Sequence, residues 1–141
     1  LELITIFVRN NLNYNKMALS GTKAQEATLG QYGSIFTDSA TAAVVPPDGY
    51  IICAITFMAD AVLKADGGLV AENAGTNKKK FMSTQNASHT TGTDEEGTGG
   101  IQIANNNIFP KGLTIYGRWK QFQLKDADTD GGVICYLAPK H

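Results

Sequence analysis

The chain has little charge, few cysteines and no long apolar run. Charged residues make up 18% of its 141 positions, and the net charge is −1. A protein that grips phosphate backbones needs a surplus of Lys and Arg, so this balance excludes nucleic-acid binding driven by charge. The basic run Lys78-Lys79-Lys80 reads as a solvated loop or a salt-bridge donor to a neighbour. No apolar stretch approaches the roughly 20 residues of a membrane-spanning helix, so no membrane partner is expected. Residues 3–8 (LITIFV) are apolar but short. Arg9 follows them where a leader peptide would need a small residue, so they are not read as a signal peptide. The two cysteines, Cys53 and Cys135, each sit in an apolar strand pattern and read as small core residues. A disulfide between them would need neighbouring strands with facing Cβ atoms. His89 and His141 are the only imidazoles, and no histidine cluster joins the cysteines to make a zinc site. G-x-S-x-G, H-E-x-x-H and phosphate-loop motifs are all missing. The pair Glu95-Glu96 is adjacent in a Gly-rich loop, where the two carboxylates point apart. No enzyme activity and no cofactor are expected on these grounds.

What is present is a β-rich pattern. Hydrophobic residues make up 43%, enough for a single domain with a core. Residues 50–58 (YIICAITFM) are apolar on both faces and rich in β-branched and aromatic side chains, which predicts a central strand buried on both sides. Pro46-Pro47-Asp48-Gly49 before them is a turn. Short strands are expected at 34–37, 42–45, 101–103 and 108–109. Residues 61–63 and 68–72 flank Asp66-Gly67 and read as a hairpin. Residues 83–100 carry no large apolar side chain over eighteen positions and read as a long polar surface loop. Helix is expected only within 18–33, where Ala24, Gln25, Glu26 and Ala27 favour it and Gly30 and Gly33 end it. The fold class is therefore all-β: an antiparallel β-sandwich of jelly-roll type over 34–141, with an extended or partly helical N-terminal arm at 1–33. Met17 looks like a natural start, so residues 1–16 are either an upstream extension or a true arm.

The C-terminal stretch is the most distinctive. Residues 113–124 and 133–137 are apolar, aromatic runs on either side of Asp126-Ala127-Asp128-Thr129-Asp130-Gly131-Gly132, the pattern of a β-hairpin. Thr114-Ile115-Tyr116-Gly117-Arg118-Trp119, followed by Gly131-Gly132-Val133-Ile134-Cys135-Tyr136-Leu137, resembles the C-terminal end of small virion structural proteins of tailed phages, notably those of marine bacteria. The resemblance covers the last quarter of the chain and, more loosely, the strand at 49–57. It implies a capsid decoration or cement protein, a homotrimer on the capsid surface of the virion with the major capsid protein as partner, assembled in the host cytoplasm. No catalytic residue travels with it. Carbohydrate binding by a tail or fibre module, and a filament subunit exchanging strands, are the alternative functions.

Two sets of residues are candidates for contact. Tyr116, Arg118 and Trp119 combine aromatic rings with a guanidinium, a mixture enriched at interfaces. Their structural alternative is a core Trp beside a salt-bridged Arg. Leu3, Ile4, Ile6 and Phe7 in the arm would form an edge strand or pair with a neighbouring subunit. Asp126, Asp128 and Asp130 with Gly131 match the first half of a calcium loop. The bidentate Glu is missing, because that position is Leu137, and a polar turn is the reading taken.

Overall fold

The computed structural model describes Gln25 and residues 30–72, 81–84 and 99–140. Its strands are β1 (Ser34–Thr37), β2 (Tyr50–Phe57), β3 (Ala61–Val62), β4 (Leu69–Ala71), β5 (Ile108–Phe109), β6 (Thr114–Phe122) and β7 (Val133–Pro139). All pairings are antiparallel. Five strands form one sheet in the order β1-β7-β2-β6-β4, and β3 pairs with β5 in a second, two-stranded sheet. Helix is confined to Gln25 among the described residues. Among the described residues the regular structure is thus nearly all β, as expected.

β2 is the middle strand, as its two-sided apolar pattern predicts. Ile52, Ile55 and Phe57 face the main core and are fully buried, while Ile51 and Ala54, at 3% and 8% exposure, are buried outside that cluster. The odd spacing of Ile52 and Ile55 comes from a bulge. Against β7 the register slips between Ile52 and Ala54, leaving Cys53 as the extra residue. β6 has a similar irregularity: Ala71 pairs with Trp119 but Val70 with Gln121, so Lys120 is the extra residue. Simple alternation would set Trp119 and Phe122 on opposite faces. The bulge turns both inward, and both are fully buried.

The expected hairpin between residues 113–124 and 133–137 does not form. β2 lies between β6 and β7 and pairs with both. The acidic connector is tied elsewhere: Leu124 bridges Leu63, the Lys125 amide donates to Val62 O (3.0 Å), and the Asp128 amide donates to Asp38 O (2.8 Å). The Asp66-Gly67 turn is present, with the Gly68 amide donating to Lys64 O at 3.1 Å, yet its two arms join different sheets. The Pro46–Gly49 turn forms as predicted, with Gly49 at φ 83° and the Tyr50 amide on Pro47 O. Residues 42–45 contribute one bridge, Val44 to Phe122, and 101–103 form no strand.

The core lies on one face of the large sheet. Phe57 stacks on Phe109 of the small sheet (centroids 5.0 Å apart) and meets Phe122 edge-on at 6.1 Å. Gly117 makes room for Trp119: a Cβ there would lie 2.6 Å from the indole ring. Among the described residues no helix is long and apolar enough to cross a membrane. Most of the arm at 1–33, including Leu3, Ile4, Ile6 and Phe7, lies outside the described residues, as do Lys78-Lys79-Lys80, Glu95-Glu96 and both histidines.

Candidate functional site: the outer sheet face and its two edges

Pairing register places side chains of the sheet's second face in rows. Phe36, Ile134, Thr56 and Thr114 form one row; Ser34, Tyr136, Ala54 and Tyr116 form the next. Thr56 and Thr114 share a hydroxyl hydrogen bond of 2.8 Å. Tyr116 is 75% exposed and Phe36 54%. β1, β2 and β7 contain no charged residue, so this face is apolar and aromatic with hydroxyls but no ions across three strands. The chain enters it through a turn at 30–33, where Gly30 packs against the Tyr136 ring.

The three C-terminal candidates part company here. Trp119 is not a surface residue: it is fully buried, and its indole Nε1 donates to Met82 O at 2.8 Å. Arg118 Nε donates to Glu72 Oε2 at 2.6 Å, with both side chains largely sheltered. Tyr116 alone of the three is presented outward. Phe36 was missed in the sequence, where SIFT reads as any short strand. Its exposure follows from the position of β1 at the sheet edge.

The edges differ. Beside β4, Ser83 and Thr84 are buried, although a polar surface loop was expected to begin there. The Leu69 amide donates to Thr84 Oγ1 (2.9 Å). Leu69 O accepts from the Thr84 amide (2.8 Å) and from the Ser83 and Thr84 hydroxyls (3.0 and 3.1 Å). Beside β1, the Leu137 amide donates to Gly33 O (3.0 Å), which fixes the parity: residues 33, 35 and 37 bond to β7. The amides and carbonyls of Ser34 and Phe36 therefore point away from the sheet, and none of the described residues takes them up.

The acidic turn behaves as a turn. Asp128 accepts from the Asp130 amide (3.4 Å) through Oδ1 and from the Gly132 amide (3.1 Å) through Oδ2, closing the bend before β7. Asp60, Asp126 and Asp128 line a shallow cleft of 140 Å³, but Asp60 Oδ1 is already bonded to the Lys111 amide. Among the described residues no group of three or more His, Cys, Asp or Glu is placed to hold a metal ion.

Both cysteines are free thiols. Cys135 faces the core opposite Ile35 and Ile55, and burial pushes its pKa up to about 12. Cys53 sits at the β2 bulge, half-buried, its pKa raised by desolvation against a smaller opposing backbone hydrogen bond.

Compared with protein-family models, curated proteins and solved structures, the chain matches none.

Proposed function

We propose that this chain is a non-enzymatic virion structural protein of a tailed phage: a capsid decoration or cement protein that binds major capsid protein as a homotrimer and stiffens the head. The motif Thr114-Ile115-Tyr116-Gly117-Arg118-Trp119 with Gly131 to Leu137 carries the phage assignment by resemblance. The observation that supports a binding role is the outer face, uncharged across β1, β2 and β7, with Phe36 exposed at its β1 edge and Tyr116 exposed on the adjoining β6. Exposed aromatics on a face that carries little charge suit contact with another protein, because they bury large area at little desolvation cost. Repetition over a symmetric shell multiplies such contacts through effective concentration. In this reading the β3–β5 sheet, whose Phe109 packs on Phe57, is the second layer of a β-sandwich of jelly-roll type.

A second reading is host-surface carbohydrate binding. The exposed Tyr116 ring beside the Thr56–Thr114 hydroxyl pair favours it, since sugars take both stacking and hydroxyl contacts.

Sedimentation with expanded capsids that lack the protein separates the two. A cement protein binds saturably, and Tyr116→Ser with Phe36→Ser weakens binding at least tenfold. A folded protein that ignores capsids, yet binds immobilised glycans through Tyr116, overturns the first reading in favour of the second.

A further inference from the structure

The β1 edge is unfinished in a way that specifies what would finish it. Ser34 and Phe36 offer four backbone groups to that side, two donors and two acceptors. β1 (SIFT) carries none of the devices that blunt an edge: no charge, no proline and no bulge among its four residues. It is apolar on both faces, with Ile35 packed against the core and Phe36 outward. An added strand must therefore be apolar on both of its own faces.

We propose that residues 3–8 (LITIFV) of this chain add to the β1 edge as a sixth strand. One face of the segment would carry Leu3, Thr5 and Phe7, and the other Ile4, Ile6 and Val8, so five of its six side chains are apolar. It holds no charge or proline that would stop a strand from pairing. The N-terminal stretch joins the described structure at Gly30, against Tyr136 on β7, immediately before the open edge. Twenty-five residues, 9–33, separate the segment from β1. At about 3.3 Å per extended residue they span either the short return to the chain's own edge or the gap to a second copy. This assembly contact is independent of the phage reading and of what Tyr116 touches.

The test is amide hydrogen exchange at Ser34 and Phe36 in the full chain. The paired double variant Ile4→Asp with Ile6→Asp puts charge on the added strand, and Phe36→Pro removes one outward donor that the β7 ladder does not use. In the unmodified chain both amides should exchange about a hundredfold more slowly than in the double variant, as ladder amides do against frayed ones. In Phe36→Pro the remaining Ser34 amide should lose protection while β2 amides keep theirs. Protection that vanishes on dilution assigns the strand to a second copy; protection that survives dilution assigns it to the same chain. Fast exchange in the unmodified chain overturns the proposal. So does slow exchange that persists in the double variant, which would mean that another segment occupies the edge.

Discussion

At one side of the large sheet, the backbone of Leu69 on β4 is fully engaged by Thr84 and Ser83, two buried polar residues that stand in for a sixth strand. At the other side, Ser34 and Phe36 on β1 present the same kind of groups to no described residue. Among the described residues the sheet is therefore closed at Leu69 and open at β1. The comparison teaches that a backbone edge can be ended by side chains, provided they donate and accept as a strand would. A hydroxyl does both, which is why Thr84 can serve one residue's amide and carbonyl together.

Four measurements sharpen or break this contrast. The largest effect belongs to Trp119, which anchors the closing segment through its bond to Met82 O. Trp119→Ala should cost about 3–5 kcal/mol in urea unfolding, by loss of a wholly buried ring and the cavity left behind. Thr84→Val keeps the shape but strands the Leu69 amide. It should cost about 1–3 kcal/mol and speed exchange at Leu69 without changing it at Ser34. A value near zero would show that the closed edge does not depend on the hydroxyl.

The next measurement probes the core beneath the open edge, where Cys135 pairs with Ile35. Its folded pKa, about 12, is raised above the ordinary 9.0. The thiol's contribution to stability is whole below the unfolded value and is lost as pH rises toward the folded one, at a slope of up to about 1.4 kcal/mol per pH unit. Urea midpoints of Cys135→Ala should therefore fall less steeply with alkaline pH than those of the parent. Equal slopes would mean that the thiol ionises freely and that β1 does not keep water out. The smallest effect is at the surface. Phe36→Ser should change stability by no more than about 0.5 kcal/mol, because the ring is mostly in solvent. A larger loss would mean that the outer face is already covered in the isolated protein.

The elements were more legible than their pairing. Strand β2 could be read from its apolar residues on both faces, β1 from Ser34-Ile35-Phe36-Thr37, and the turn before β2 from Pro46, Pro47 and Gly49. The partners could not. Asp and Gly between two apolar runs signal a hairpin locally, but the most apolar strand in the chain competes for both arms and inserts itself between them. Two bulges also hide from an alternation rule, since one extra residue, Cys53 or Lys120, reverses the face of everything beyond it. Tyr116 was found because an exposed aromatic and a buried one look alike in sequence and both were named. Trp119 proved to be the buried one. Thr84 was missed because a polar residue opening a polar stretch carries no sign that it will be sealed inside.

The position of β2 between β6 and β7 also sets the timing of folding. Thr56 meets Thr114 across 58 residues of chain, and the whole strand waits longer still for β7. At 5–20 residues per second a ribosome takes roughly 3–12 s to make that interval. Throughout it, the stickiest segment of the molecule is synthesised and has neither of its partners. Late closure of distant strands is slow and exposes the chain to aggregation. Yield in cells should accordingly depend on chaperone supply during synthesis more than the stability of the finished sheet would suggest.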